Sequence, residues 1–435
     1  MSALSEVNRR TRPQAAPDKP KPNVRISPAR AAAFEILGLV GQGKGHSDEL
    51  MHGRHLKGLS PADRNLATTL VLGVLRWQIA LDARVRPFFQ RPDVKLTSPV
   101  EIALRMGAFQ LLHLDRIPAH AALSESVELV RAGAPFAVGM VNAVLRKLSI
   151  APKPGVKLHE STAAFAERLG HPLWLVERWV AAYGREATMA ICEADQREPG
   201  CGALFAAEDD MPVMDDGSRL VAELAAACSP GARRVWDCCA APGGKTLVMA
   251  RRLPGAELLA TDASPRRLKV LAERLTVAGV PVKTVDADAV ALPAELGAFD
   301  LVLCDVPCSG TGTLARNPEI RHRVSTGEIE RQTARQREIL AAAFLRLAPG
   351  GRLVYSTCSL EREENEQVVA SVLAGLPKSV SVASVAVPGL LERLREQGRF
   401  REGVDLAPLA RGDVLRTLPG SFDGDGFFAA VFERR

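Results

Sequence analysis

The amino-acid sequence predicts an all-α N-terminal domain followed by an α/β domain built on a largely parallel sheet. Three observations carry that prediction. Between residues 28 and 148, apolar side chains recur at helical spacing, with prolines at the openings. From residue 233 onward the pattern changes to short apolar runs that stop at an aspartate or a cysteine, as in strands buried on both faces. Between the first run and an amphipathic stretch lies a loop of small residues, Cys239-Ala240-Ala241-Pro242-Gly243-Gly244. Such a loop holds a ligand above the carboxyl edge of an open α/β sheet.

The chain has 435 residues, enough for two or three domains, and 47% of them are hydrophobic, ample for real cores. Residues 1–30 carry seven Lys/Arg against two acids, with five prolines. The tail 1–27 is therefore expected to be disordered, either as a solvated leader or touching nucleic acid through phosphates. Ser27-Pro28 opens the first helix, with Ala32, Phe34, Ile36, Leu37 and Val40 at helical spacing before Gly41. Pro61 starts the next, whose apolar face is Leu66, Leu70, Leu72, Val74 and Leu75. Helices from Val100 to Leu114, Ala119 to Ala132 and Val138 to Leu148 follow. Residues 31–150 hold 14 basic and 10 acidic residues out of a chain net of +6, so RNA affinity would come from local patches. Arg76, Arg105 and Arg146 are candidates for an RNA-facing side, with helix capping or snorkelling as the alternative. His120, at a helix start, reads as structural. A Pro/Lys-rich linker at 151–155 leads into a helical segment with Trp174, Trp179 and Tyr183, read as core. The expected divisions are 1–27, 28–150, 151–200 and 201–435.

In the last of these, Arg233 to Asp237 reads as the first strand, and Leu247, Val248, Ala250 and Leu253 as the face of the helix after the small-residue loop. The loop is neither G-x-G-x-x-G nor the phosphate-binding G-x-x-x-x-G-K-[ST]. Glu257–Thr261 ends in Asp262, Val282–Val285 leads to Asp286 and Asp288, and Phe299–Leu303 leads to Asp305. One such acid is more often a cap or turn residue. Four of them around a small-residue loop point to a nucleoside site, with Asp262 placed for ribose hydroxyls. Two thiols, Cys308 in Asp305-Val306-Pro307-Cys308 and Cys358 in Tyr355-Ser356-Thr357-Cys358, also fall at strand ends. There they suggest nucleophilic attack on an electron-poor carbon, the alternative being small buried core residues. All eight cysteines lie at or after Cys192, with no C-x-x-C or zinc-like spacing. No metal and no disulfide framework is expected, and the simplest compartment is a reducing cytoplasm. No uninterrupted apolar run reaches the ~18 residues of a membrane span, so no membrane partner is expected.

Residues 237–246, 305–313 and 355–359 resemble the signature motifs of the RNA 5-methylcytosine methyltransferases of the Sun/Nol1/Nop2 family. That family's patterns run D-x-C-A-A-P-G-G-K-T, D-A-P-C-S-G-x-G and Y-S-T-C-S. The ending Asp425-Gly426-Phe427-Phe428-Ala429-Ala430 is similar to its last strand. Asp63-Arg64, Gly73-Val74-Leu75-Arg76-Trp77, His120-Ala121-Ala122 and Val141-Asn142-Ala143-Val144-Leu145-Arg146-Lys147 resemble the NusB-like helical domain fused to the bacterial small-subunit rRNA enzyme of that family. The resemblance covers residues 28–435. It implies a NusB-like domain and a Rossmann-like class I methyltransferase domain that uses S-adenosyl-L-methionine. The implied cofactor residues are Cys239, Ala240, Ala241, Pro242, Gly243, Gly244, Lys245, Asp262, Arg267, Asp288 and Asp305. Implied partners are RNA, 16S rRNA first among them, with neither DNA nor membrane, and a monomeric enzyme. The chain departs from the family in having Met214 for the usual Gln and Val306 for the usual Ala. It also has only about 20 residues between Pro199 and Ser218, where relatives carry an RRM-like subdomain.

Cytosine C5 is a poor nucleophile, and a thiolate added at C6 turns it into an enamine-like carbon able to accept a methyl. An ordinary cysteine is only a few per cent thiolate at pH 7, so the site must favour the anion. Asp305 is placed to bind the N3/N4 edge of the base, and Lys245 to supply positive charge. The resemblance makes Cys358 the nucleophile and Cys308 the thiol that assists release. Related DNA enzymes use the cysteine of the Pro-Cys motif instead, so chemistry alone leaves the order open. The same chemistry on tRNA or large-subunit rRNA, or a silent assembly factor, are the alternatives.

Overall fold

A computed structural model describes residues 26–91, 94–152, 160–200 and 202–435. The basic tail up to residue 25 and most of the 151–155 linker lie outside the described residues.

The helical part consists of Pro28–Gly41, Ser47–His52, Pro61–Val85, Ser98–His113, Ala119–Gly133 and Val138–Ile150. The Ser60 hydroxyl caps the long third helix by accepting from the Asp63 amide at 3.1 Å. By length and mean hydropathy, the stretch Pro61–Phe88 is long and apolar enough to cross a membrane. Its residues Leu70, Val71, Val74 and Leu75 are instead buried against Ile36, Leu104 and Leu145 in the shared helical core. Close helix packing depends on Gly73, where a Cβ would stand 2.0 Å from the Phe109 ring. The short Ser47–His52 helix has no counterpart among the sequence expectations, because six residues are too few to show a period.

The α/β part is one nine-stranded sheet: β1 Arg234–Asp237, β2 Glu257–Asp262, β3 Lys283–Asp286, β4 Phe299–Asp305, β5 Leu347–Thr357, β6 Val382–Val385, β7 Ala410–Arg411, β8 Val414–Arg416 and β9 Phe428–Arg434. The order is β3-β2-β1-β4-β5-β9-β8-β7, with β6 also paired to β9. β1 to β5 run parallel and β9 is antiparallel to β5. The order reverses between β1 and β4, the switch point where open α/β sheets bind ligands. Helices Asp216–Cys228, Gly244–Arg252 and Val387–Glu396 cover one face, and Thr326–Leu345 with Glu366–Gly375 the other. Trp179 and Tyr183 of the Leu173–Tyr183 helix pack in a separate core that reaches Leu314 and Leu360, as a core reading requires.

The two parts are fastened by residues 314–323, which follow the Cys308 motif. Arg321 is 1% exposed and donates to the carbonyls of Arg76 (2.9 Å), Gly170 (3.1 Å), Asp195 and Leu314 (both 3.4 Å). Glu319 accepts from the amide and hydroxyl of Ser47, and Arg323 donates to the carbonyls of Val40 and Gly45. His322 bonds the Leu75 carbonyl at 2.8 Å, and burial pushes its pKa down to about 4, so it stays neutral at physiological pH. Here the sequence expectation needs correction. Arg76 is buried and donates to the Ala315 carbonyl at 2.7 Å, and Arg105 forms a two-pronged pair with Asp82. Arg76 is spent inside the protein and the half-buried Arg105 is held by Asp82, because a guanidinium's five donors suit carbonyl and carboxylate clusters. Arg146 is exposed.

Arg321→Ala should lower unfolding free energy by about 2–4 kcal/mol, because it strands buried carbonyls that Arg321 satisfies. Urea denaturation checks this, and a loss within about 0.5 kcal/mol would contradict it.

Candidate functional site

β1 delivers the chain into the small-residue loop at the switch point. The Cys238 amide donates to the Leu303 carbonyl at 3.0 Å and the Ala240 amide to Thr261 at 2.9 Å, so the loop is hung between β4 and β2. Gly243 closes it with φ +102°, and a Cβ there would stand 2.3 Å from Leu271. Both the dihedral and the contact require glycine. Helix Gly244–Arg252 starts immediately after, and among the described residues no side chain caps the amides of its first turn.

Asp237, 1% exposed, accepts from the Thr246 hydroxyl at 2.7 Å through one oxygen. Its other oxygen has no partner among the described residues. Burial pushes its pKa up to about 7. It lines a cavity of about 660 Å³ together with Cys239–Lys245, Met214, Ser218 and Asp305. An orphaned buried acceptor, a helix start and a lysine fit the amino-acid end of S-adenosylmethionine, which needs an acceptor for its ammonium and donors for its carboxylate.

Asp262 is 5% exposed and accepts from the amides of Ala241 (3.2 Å) and Ser264 (2.9 Å). Arg267 donates to the Ala241 carbonyl at 2.6 Å and lies 3.5 Å from Asp262, so the pair clips the loop to β2. Asp286 stands level with Asp262 on β3. Asp288, two residues on, accepts from the Val290 amide at 3.0 Å and pairs with Arg335. Asp262, Arg267 and Asp288 are not among the residues that line the cavity.

The thiols meet. In the parallel β4–β5 register, Asp305 is level with Ser356, so both post-strand loops leave the sheet side by side. Cys308 and Cys358, 50 residues apart in sequence, have sulfurs 3.3 Å apart, and both are half-buried. The Gly312 amide donates to the Cys358 carbonyl at 2.9 Å. A Cβ on Gly312 would lie 2.2 Å from the Gly426 carbonyl oxygen. Asp305 accepts from Ser356 Oγ at 2.7 Å and pairs with Lys245 Nζ at 2.7 Å. Burial opposes the charge on Lys245, but Asp305, with Cys358 and Asp237 nearby, holds its pKa above the ordinary lysine value. The Cys308 thiol is pushed well up by its contact with Cys358, by burial and by Glu364.

Residues that the sequence reading passed over complete the arrangement. Glu364 is fully buried and accepts from Ser309 and Ser359, the residues after the two cysteines. Arg316 bridges Asp215 at 3.0 Å and Asp425 at 2.9 Å. A serine after each cysteine and the run Glu363-Glu364-Asn365-Glu366 were the available signals. In the short segment 202–215, the only β pairing among the described residues is the isolated Phe205–Phe400 bridge.

Residues 227–433 match the family described as 16S rRNA methyltransferase RsmB/F, and residues 27–149 match the NusB family. The chain is 33% identical to the ribosomal RNA small subunit methyltransferase B of Xanthomonas campestris pv. campestris, over 93% of this chain and 96% of that protein. It is 29% identical to the probable ribosomal RNA small subunit methyltransferase B of Bacillus subtilis, over 87% and 92% respectively. Among solved structures, the crystal structure of PH0851 superposes with a TM-score of 0.69 at 22% identity, covering 94% of this chain and 99% of that one. At that identity the likeness concerns the fold.

Asp237 makes stability depend on pH. Its carboxyl titrates near 4 in an unfolded chain and about 7 here. Between those values the folded protein keeps a proton the unfolded chain has released, so stability falls as pH rises through the window. Each unit of separation is worth about 1.4 kcal/mol. Asp237→Asn removes this slope. By denaturant unfolding, the stability of the variant relative to the parent should rise from about pH 4 to about pH 7. A constant difference would contradict it.

Proposed function

Because the chain belongs to the family of ribosomal RNA small subunit methyltransferase B, we propose that it methylates C5 of a cytosine in 16S rRNA through a covalent adduct on its own cysteine. The observation that carries this reading is the 3.3 Å contact between Cys308 and Cys358 beside the Lys245–Asp305 pair. Two thiols in contact suit a reaction that must both add a sulfur to a ring and take it off again. One thiol with no partner would suit simple burial.

S-adenosylmethionine supplies the electrophilic methyl, and Cys239–Lys245, Asp262, Arg267, Asp288 and Asp305 are the residues assigned to hold it. Asp237 offers its free oxygen to the ammonium end, and Asp262 with Arg267 keeps the loop in place. The target base must be unpaired or turned out of its helix to reach the thiols. Cys358, with the Lys245 charge nearby, adds as thiolate to C6, and the ring's π electrons move toward N3 and the carbonyl. Asp305, relieved of part of its pairing with Lys245 and carrying a proton, donates that proton to N3 as charge builds there while its other oxygen accepts from the N4 amino group, and takes the proton back when the ring is restored. C5 then carries the electron pair that takes the methyl. Cys308, protonated while Cys358 attacks, gives its proton to solvent water once the adduct has formed, and the thiolate so formed takes up the C5 proton. The C5–H electrons re-form the ring double bond as the Cys358 sulfur leaves.

Residues 28–150 are assigned to RNA binding and 201–435 to catalysis, joined by 151–200. Every group in the scheme comes from one chain, which suits a monomer acting on rRNA in the cytoplasm. With a short 199–218 segment in place of a strand-rich subdomain, the helical part takes a larger share of the RNA.

Bisulfite sequencing tests the assignment. In a strain lacking the gene, one cytosine of 16S rRNA should convert to uracil that is protected in the parent, and plasmid-borne protein should restore protection. Unchanged 16S rRNA, with protection lost in tRNA or large-subunit rRNA, would contradict the substrate.

A further inference from the structure

Immediately behind the two thiols lies a carboxylate that the scheme above does not use. Glu364 is fully buried, and everything that touches its two oxygens donates to it. Oε1 accepts from the Ser309 amide at 2.8 Å and from Gln336 Nε2 at 3.0 Å. Oε2 accepts from Ser359 Oγ at 2.5 Å and from Ser309 Oγ. The two serine hydroxyls are themselves 3.0 Å apart. Ser309 follows Cys308 and Ser359 follows Cys358, so one side chain grips the residue next to each thiol.

The grip is set firmly from behind. Tyr355 OH donates to the Glu364 carbonyl at 2.6 Å, and Asn365 holds the Thr357 hydroxyl and the Ser359 carbonyl. All four donors to the carboxylate are neutral, so its negative charge is solvated by dipoles and not cancelled by a cation. An uncancelled charge in a dry interior acts on its neighbours over several ångströms. Its charge is felt by Cys308 as well as by Tyr355, while the opposite charge, Lys245, interacts with Cys358.

We propose that Glu364 is a positioning residue with two effects: it fixes both thiol loops at contact distance, and it sets an electrostatic difference across them that leaves Cys358 to attack while Cys308 stays protonated. The second effect rests on the reaction proposed above; the first does not. Negative charge on the Cys308 side and positive charge on the Cys358 side favour ionisation of one sulfur only. Without that difference, two thiols 3.3 Å apart would share a single proton with little preference, and half the molecules would hold the anion on the wrong sulfur.

Glu364→Gln keeps the shape and removes the charge; its amide can face only the two serine hydroxyls, which can turn to accept. The readout is the pH dependence of iodoacetamide alkylation at Cys308, followed by mass spectrometry of its peptide, with Cys358→Ala in both arms. The charge being lost, the alkylation midpoint should fall by about one pH unit. In the Glu364→Gln single variant, methylation turnover should fall roughly a hundredfold, with the KM for S-adenosylmethionine within about twofold of the parent. An unchanged midpoint together with parental turnover would overturn the proposal. A purely structural role would lower thermal stability without moving the midpoint, and that result would overturn it too. If Glu364→Gln does not fold, Ser309→Ala and Ser359→Ala each take one loop off the carboxylate. Each should slow turnover about tenfold, and parental turnover in both would overturn the proposal. Alkylation is measured without RNA. A shifted midpoint in a protein that proves not to modify cytosine therefore supports the effect of Glu364 on Cys308 and rejects only the reaction.

Discussion

Parallel pairing of β4 with β5, Asp305 level with Ser356, decides where both thiols can be. Each strand ends at the same height, and each is followed within three residues by a cysteine. A shift of one residue in that register would turn the side chains to the opposite faces and separate the sulfurs. The register is secured by the core on both faces: Leu301, Leu303 and Val354 point into one layer, Val302, Cys304, Leu353 and Tyr355 into the other. The same two strands also supply Asp305 and its partner Ser356. The meeting of the thiols is therefore a by-product of ordinary sheet packing, trimmed by close approaches such as Gly312 against Gly426.

The helical part is tied to this machinery and is more than an appended module. Residues 314–323 leave the Cys308 loop: buried Arg321 and half-buried His322 bond the carbonyls of Arg76 and Leu75, and exposed Arg323 bonds those of Val40 and Gly45. Ile320, in the middle of that stretch, would be 2.9 Å from a Cβ on Gly310. Movement of the helical part is thus felt one packing layer from the thiol. In the function proposed above, RNA binding by one part and reaction in the other would be physically connected through these few bonds.

Much of this was legible in the sequence, for definable reasons. Strand ends were marked by acids and cysteines because apolar runs stop where the chain reaches the ligand edge. The helices of the N-terminal part were marked by period and by prolines at 28, 61 and 118. What the sequence could not show was long-range: nothing in the spacing of Cys308 and Cys358 says that 50 residues close to 3.3 Å. Arg76 looked like a surface arginine because its burial depends on the carbonyl of Ala315, 239 positions away. The resemblance favoured Asp288 over Asp286, but sequence could not show that Asp288 pairs with Arg335 while Asp286 stands level with Asp262. Glu364 was invisible as one acid in an acidic run; its role follows from the two serines that fold back onto it. The short strands β6, β7 and β8 carry two to four residues each, below the length at which alternation can be read.

The central claim is that the two thiols play different parts in one covalent cycle. It is tested most directly by incubating Cys308→Ala and Cys358→Ala proteins with small-subunit rRNA and S-adenosylmethionine and running both on a denaturing gel. The account predicts a slow-migrating protein–RNA band for Cys308→Ala, which can add and transfer but cannot release, and none for Cys358→Ala or the double variant. A band for Cys358→Ala alone would give the attack to Cys308, and full activity without a band in both would remove the thiols from the reaction altogether.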